Sequence, residues 1–382
     1  MAEGRIGRGV VSSRDAATIT DRGVMDEIAD NRAVKGRGAV SNRVGRFESY
    51  RYQPTDDGWK ADDVLADPAT TVFIDHSRGI IARNESPDLP FEQSINPYRG
   101  CEHGCIYCYA RPTHAYLGLS PGIDFETKIA IKPNAAALLT EAINRPKYRC
   151  KLIAMGTNTD PYQPLERQHC ITRGLLEVLA ANRHPVTFTT KSSLIERDID
   201  LLAPMAERNL VQVFVSITTL DPDLSRRMEP RTAAPRRRLR TIRRLIDAGI
   251  PTGVLVAPII PVLTDPELES IVEACAAAGA VKAGYVLLRL PHEVKSLFKE
   301  WLQEHVPLKA ERVMARVRDT RGGRENDAKF GRRMRGAGEY ANLIAQRFRI
   351  ASKRFGVDRP MPELDTAQFT KGTADRTQLL LL

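Results

Sequence analysis

Between residues 151 and 290 the chain repeats one pattern, a short and nearly continuous apolar run followed by a segment of helical period. KLIAMG (151–156), PVTFTTK (185–191), LVQVFVSIT (210–218), PTGVLVAPII (251–260) and AGYVLLRL (283–290) are the apolar runs. ITRGLLEVLAAN (171–182), IERDIDLLAPMAE (195–207), RRRLRTIRRLIDAG (236–249) and PELESIVEACAAAG (266–279) lie between them. Strands apolar on both faces that alternate with helices predict parallel βα units, because only a sheet covered on both sides buries such strands. Two of the helices run into a glycine, Gly249 and Gly279, the residue that most easily ends a helix in the left-handed region.

A first strand near FEQSIN (91–96) and a helix near PNAAALLTEAINR (133–145) bring the count to six strands. Six units are too few for a closed eight-stranded barrel, so an open partial barrel or a doubly wound sheet fits. Both place chemistry at the C-terminal strand ends, which read RGC, TNTD, TKSS, SITT, PIIP and RLP. Upstream, TTVFID (70–75) and GIIA (79–82) are short β-branched stretches. Three regions follow. Residues 1–60, polar and Gly- and Arg-rich, are read as disordered or loosely packed; 61–290 form the α/β core. Residues 291–382 form a basic, mainly helical extension, interrupted by the glycine-rich RGGRENDAKFGRRMRGAG (321–338), with an irregular last 25 residues. No apolar run reaches membrane-spanning length and the N-terminus has no apolar leader segment, so the expected location is the cytoplasm, with no membrane partner.

Three of the six cysteines, Cys101, Cys105 and Cys108, fall within NPYRGCEHGCIYCYARPTH (96–114). Their spacing would share a helix face, but Pro97, Gly100 and Gly104 mark a loop. In a reducing compartment clustered thiols bind metal more often than they pair. Iron–sulfur cluster, zinc and buried structural thiols are all open on spacing alone. Zinc needs a fourth ligand, for which His103 is available, since Cys150, Cys170 and Cys275 stand singly in or beside predicted helices.

C-x3-C-x-aromatic-C directly after the first strand of a βα series resembles the radical S-adenosylmethionine superfamily. The resemblance extends over about 85–290 and is strongest to the subgroup that includes spore photoproduct lyase and uncharacterised relatives. It is carried by SPDLPFEQSINPYRGCEHGCIYCYARPTH (86–114), DPYQPLERQHCITRGLLE (160–177), TKSSLIERDIDLL (190–202), SITTLD (216–221), RRMEPRTAAPRRRL (226–239) and VLVAPIIP (254–261). It implies a partial (β/α)6 TIM-type barrel, a [4Fe–4S] cluster on Cys101, Cys105 and Cys108, and S-adenosylmethionine on the fourth iron. It also implies that Tyr107 packs near the adenine and that Tyr109 lies close to the reaction. Thr157, Asn158, Thr159 and Asp160 would form the turn that binds amine and ribose. Lys191 would meet the cofactor carboxylate and Ser216 would hydrogen-bond the cofactor. Glu229, with Arg231, would make an ion pair or a cofactor contact, and Arg289 would face the barrel mouth, meeting substrate or a salt-bridge partner. The lyase also uses a cysteine on the loop after the second strand, where this chain has Met155, Gly156, Thr157 and Asn158. The lyase's own repair route is therefore not implied.

The formal charge of +10 is concentrated. Residues 309–354 hold 14 Lys/Arg against 5 Asp/Glu, and 226–244 hold nine arginines and one acid. Such clusters suit a polyanion such as nucleic acid, or simply a solvated face. The leading expectation is a radical enzyme on an unidentified substrate, fed by a low-potential donor of flavodoxin or ferredoxin type. The alternatives are a non-catalytic iron–sulfur sensor or nucleic-acid-binding protein, and a zinc-stabilised module.

Overall fold

The computed structural model describes residues 36–47 and 69–372. Along the chain the strands are β1 (Thr71–Ile74), β2 (Ile81–Arg83), β3 (Gln93–Ile95), β4 (Tyr98–Arg99), β5 (Lys128–Ile131), β6 (Ile153–Met155), β7 (Val186–Thr190), β8 (Val211–Ser216), β9 (Thr252–Ile259) and β10 (Lys282–Leu287). The helices are α1 (Asp124–Thr127), α2 (Ala135–Asn144), α3 (Glu166–His169), α4 (Ile171–Ala181), α5 (Ile199–Ala206), α6 (Pro222–Met228), α7 (Pro235–Asp247), α8 (Leu268–Ala277), α9 (Val294–His305), α10 (Pro307–Asp319) and α11 (Glu339–Arg354).

The six expected strands all form and run parallel in chain order, β3-β6-β7-β8-β9-β10. This is the partial-barrel α/β core with a helical C-terminal region. The short stretch at 81–83 adds a seventh strand, antiparallel on β3 at the open edge. The stretch at 71–74 joins a separate small sheet of order β1-β5-β4. Because both faces of the parallel strands are covered, residues such as Ile153, Val186, Val211, Val213 and Val254 are wholly buried. The helices supply the cover: α4 buries Ile171, Leu175, Leu176 and Leu179 on one stripe. Each fully buried aliphatic side chain contributes roughly 1.5–3 kcal/mol. Gly249 and Gly279 take φ of +76° and +98° just past α7 and α8, as their positions in the sequence foretold.

One terminal segment departs from expectation. Residues 36–47 belong to the stretch read as loose, yet they dock on the core. Ala39 and Val40 enter an apolar cluster with Phe298, Trp301 and Val313 of α9 and α10. Ser41 Oγ donates to Glu300 at 2.6 Å, and Asn42 bonds Asp124 through both ends of its amide. The reason is local: few apolar side chains are present, but the backbone N–H groups of Gly38 and Ala39 find a buried carboxylate, Glu126, at 2.9 and 2.8 Å. The remainder of 1–60 lies outside the described residues. At the other end, 358–372 is irregular as expected and passes beneath the N-terminal strand ends. There Asp365 N donates to Asn209 O at 2.9 Å, and Phe369 packs edge-on against His184.

Candidate active site and metal centre

The cysteine loop leaves β4 and closes on itself by turns. Gly104 N donates to Cys101 O at 3.3 Å and Cys108 N to Cys105 O at 3.1 Å. Gly100 (φ +83°) and Gly104 (φ +65°) occupy the left-handed region, and a Cβ at Gly104 would stand 2.6 Å from the Glu126 carboxylate. Behind the loop, Arg111 is fully buried. Its guanidinium donates to the carbonyls of Cys105 (2.9 Å), Gly104 (3.1 Å), Pro121 (3.1 Å) and Gly122 (2.9 Å), and pairs with Glu126. A second clamp comes from Gln163, which accepts from Glu102 N at 2.9 Å and donates to Gly100 O at 3.3 Å.

Cys101 and Cys105 are buried, Cys108 is partly so, and all three are free thiols. Burial pushes the Cys101 thiol well up, with Asp160 and the other two cysteines adding to it. Burial raises Cys105 too, opposed by the positive charges of Lys191 and Arg238. Cys101 and Cys105 therefore stay protonated in this dry loop until cationic metal is supplied, which suits the loop to a cluster. Among the described residues no three His, Cys, Asp or Glu side chains converge as ligands of a single ion. Thiols bound to separate irons of a cluster need not converge in that way. The remaining cysteines lie apart: Cys275 is in the core, Cys150 half-buried and Cys170 exposed.

Of the other predicted site residues, Tyr107 and Tyr109 lie on the cysteine loop, Glu229 and Arg231 follow α6, and the rest fall near successive strand ends. Thr157, Asn158 and Thr159 form the turn after β6, and Asn96 at the end of β3 holds that turn. Its carbonyl oxygen accepts from Asn158 N at 3.1 Å and Thr159 N at 3.4 Å. Thr159 Oγ1 donates to Tyr98 O at 3.1 Å. Asp160 uses both oxygens within the protein: it accepts from Thr190 Oγ1 (2.7 Å), Tyr162 N (2.9 Å) and Lys191 N (2.8 Å), and His103 lies 3.3 Å away. Burial raises its carboxyl, but these donors outweigh burial and hold it below the ordinary value. Lys191 directly follows β7 with its ammonium 5.7 Å from the Tyr107 ring centroid, and no carboxylate among the described residues lies within ion-pair distance of it.

Glu229 is buried at the centre of a network. It accepts from Tyr107 Oη, from Thr218 Oγ1 at 2.6 Å and from Arg238, with which it pairs. Of the two roles expected for Glu229, the structure displays the ion pair. Arg231 pairs with Glu102 at 3.1 Å. Ser216, buried at the end of β8, accepts Arg238 at its carbonyl, 3.0 Å away. Tyr109 is 45% exposed and donates its hydroxyl to Thr157 O, joining the cysteine loop to the turn after β6. Arg289, two residues beyond β10, lies with its Cζ 5.2 Å from the Tyr109 ring centroid.

Asn96, Arg111, Glu126 and Gln163 were not singled out from sequence. A signal existed: each is a polar residue set in or near a motif block whose neighbours are apolar or turn-forming. Of the nine arginines in 226–244, seven have intramolecular partners. Arg226 and Arg231 pair with Asp223 and Glu102, Arg237 and Arg244 with Glu196, and Arg238 with Glu229. Arg227 and Arg243 donate to the carbonyls of His305 and Ala277.

Residues 95–275 match the model of the radical SAM superfamily. The uncharacterized protein Rv2578c of Mycobacterium tuberculosis is 41% identical over 231 residues, 59% of this chain and 68% of that one. The uncharacterized protein MJ0683 of Methanocaldococcus jannaschii is 28% identical over 173 residues, 45% and 62% respectively. Among solved structures, spore photoproduct lyase complexed with dinucleoside spore photoproduct superposes with a TM-score of 0.52 at 17% identity, over 74% of this chain and 78% of that one. A variant of that lyase with bound AdoMet and dinucleoside spore photoproduct gives 0.50 at 17% over the same shares. Those structures share the fold. By that family match, the chain belongs to the radical SAM superfamily.

Proposed function

We propose that Cys101, Cys105 and Cys108 hold a [4Fe–4S] cluster and that the protein cleaves S-adenosylmethionine reductively to begin radical chemistry on a separate substrate. The observation that carries this is the placement of three free, largely buried thiols on one loop beside a cation, Lys191, that lacks a carboxylate among the described residues. A cluster held by Cys101, Cys105 and Cys108 would supply the electron for reductive cleavage of S-adenosylmethionine to methionine and a 5′-deoxyadenosyl radical. The chain's own residues do the rest. Lys191 pairs with the cofactor carboxylate, as a cation does where water is scarce. The Thr157–Thr159 turn, fixed by Asn96, offers hydroxyl and backbone groups to the amine and ribose. Tyr107, fixed by Glu229, walls the adenine side, and Tyr109 stands where the substrate approaches.

The electron would come from a donor of flavodoxin or ferredoxin type, and nucleic acid is the candidate substrate class on charge grounds. Anaerobic reconstitution with iron and sulfide, reduction with dithionite and addition of S-adenosylmethionine should yield 5′-deoxyadenosine. Cys105→Ala should abolish both the product and the cluster absorbance. A cluster-loaded wild-type protein that makes no 5′-deoxyadenosine would instead be a sensor or binding protein.

A further inference from the structure

At the mouth of the barrel, two guanidiniums lack an anion among the described residues. Arg321 is 1% exposed and donates only to carbonyls: Arg332 O (3.0 Å), Arg333 O (2.9 Å), Leu287 O (3.2 Å) and Leu288 O (2.6 Å). Its Nε is buried without a partner. Arg289, half-buried, points one Nη at the Met334 sulfur, 3.6 Å away, covers the Tyr109 ring and keeps a buried Nε that also has no partner. Nearby acids are already engaged. Asp88 pairs with Arg333 at 2.6 Å, and Asp327 lies 3.6 Å from Arg332. Among the described residues, neither Arg289 nor Arg321 has a carboxylate within ion-pair distance. Burial drives Arg321 down to about 10, and the neighbouring Arg289 pushes the same way.

Buried donors are almost always satisfied, and buried cations are almost always paired. Two adjacent exceptions beside an accessible tyrosine at the strand ends therefore call for a ligand that brings the missing charge. A guanidinium fork suits phosphate and carboxylate oxygens alike. Two cations at one place favour the group that carries more charge and more oxygens. The π faces of Tyr109 and of Phe330, 58% exposed on the basic loop with Arg333 Cζ 4.8 Å from its centroid, would seat a flat base attached to that group.

We infer that Arg289, backed by Arg321, receives a phosphate ester of the substrate and holds it beside the ring of Tyr109. The inference rests on the proposed radical reaction only in taking the bound molecule as that reaction's substrate.

The test uses the full-length, cluster-loaded protein under anaerobic conditions without reductant, and reads binding by calorimetry. The probes are cytidine 5′-monophosphate, cytidine and a single-stranded deoxycytidine decamer. At least one phosphate-bearing probe should bind ten-fold or more tightly than cytidine. Arg289→Gln should weaken that probe at least ten-fold, Arg289→Lys should retain part of the affinity, and Arg349→Gln, on the exposed side of α11, should change nothing. For the decamer, Arg289→Gln should also lower the slope of log affinity against log salt by about 0.7. Binding of the monophosphate alone assigns a free nucleotide, and tighter binding of the decamer assigns a polynucleotide; both support the receptor. Failure of both phosphate-bearing probes to bind the wild type more tightly than cytidine would overturn it. So would displacement by succinate as readily as by inorganic phosphate, or unchanged affinity in Arg289→Gln. Should that variant lose its native circular dichroism, Arg289→Met, which keeps the apolar stem against Tyr109, replaces it under the same criteria. Absence of phosphate binding in a protein that still makes 5′-deoxyadenosine sinks this inference alone. Phosphate binding without 5′-deoxyadenosine formation sinks the radical reading alone.

Discussion

Glu126 offers the sharpest test of how the cysteine loop is held. Its carboxylate is fully buried and takes three donors: Gly38 N, Ala39 N and the guanidinium of Arg111. Glu126→Gln keeps the shape and one acceptor oxygen but removes the charge, leaving Arg111 buried with carbonyls alone. Breaking a buried pair from one side costs about 3–5 kcal/mol. With a urea slope near 3 kcal/mol/M, the midpoint should fall by roughly 1–2 M. Because Arg111 also grips the carbonyls of Gly104 and Cys105, iron incorporation should fall with stability. The double variant Glu126→Gln/Arg111→Met separates pair from position. Removing both charges should cost clearly less than the sum of the single losses, since no lone charge stays buried. Urea unfolding of apoprotein followed by circular dichroism, with iron per chain after reconstitution, measures both. A midpoint shift below about 0.3 M in Glu126→Gln, with full iron loading, would refute the view that this pair secures the loop.

Gly38→Val should release residues 36–47, because a Cβ there would stand 1.8 Å from Gly104 O; faster limited proteolysis within that segment is the readout, at a cost of about 1–3 kcal/mol. Asn96→Ala removes the acceptor for two backbone N–H groups of the turn after β6 and should weaken S-adenosylmethionine binding by about ten-fold in equilibrium dialysis, with a stability loss near 1–2 kcal/mol. His184, fully buried, is lowered by burial from its ordinary 6.5 to about 4. The unfolded chain therefore binds the proton first on acidification, so the stabilisation is complete above pH 6.5 and is lost between 6.5 and 4. The gap corresponds to roughly 3 kcal/mol, and His184→Gln should flatten that part of a stability-versus-pH curve by about one proton.

The parallel core was legible because its signal is redundant. Each strand from β6 to β10 lies in a short, mainly apolar run, each intervening helix is amphipathic, and the order of the two fixes the direction of pairing. The thiol trio was legible because three cysteines among glycines have few other uses. The supports were not. Arg111 and Glu126 stand 15 residues apart and Gly38 and Glu126 stand 88 apart, and no local period links them. Residues 36–47 read as loose because docking there relies on backbone N–H groups and two small apolar side chains, which composition does not register. Glu229 carried two readings, ion pair or cofactor contact, since a lone acid in an arginine-rich segment can serve either. Its partner Arg238 lies nine residues on, in a helix whose arginines all look solvent-bound from sequence.

The apparent excess of arginine therefore has two meanings, and the interior separates them. Arg111, Arg238 and Arg321 are among the largest fully buried side chains of the molecule, and each staples a loop to the mouth of the barrel through backbone carbonyls. A guanidinium does this where an ammonium would not, since its five donors lie in one rigid plane and reach several carbonyls at once. Two of the three staples are balanced within the fold, Arg111 by Glu126 and Arg238 by Glu229. These hold the cysteine loop and the segment after β8, the sides where the cluster and cofactor would lie. The third holds the basic loop 321–338 against β10 and has no such acid among the described residues. A purely architectural clamp would be expected to follow the other two and bury a carboxylate beside it. That the one unbalanced staple lies next to Arg289 and Tyr109, on the side open to an incoming molecule, is the reason for assigning its missing charge to the substrate.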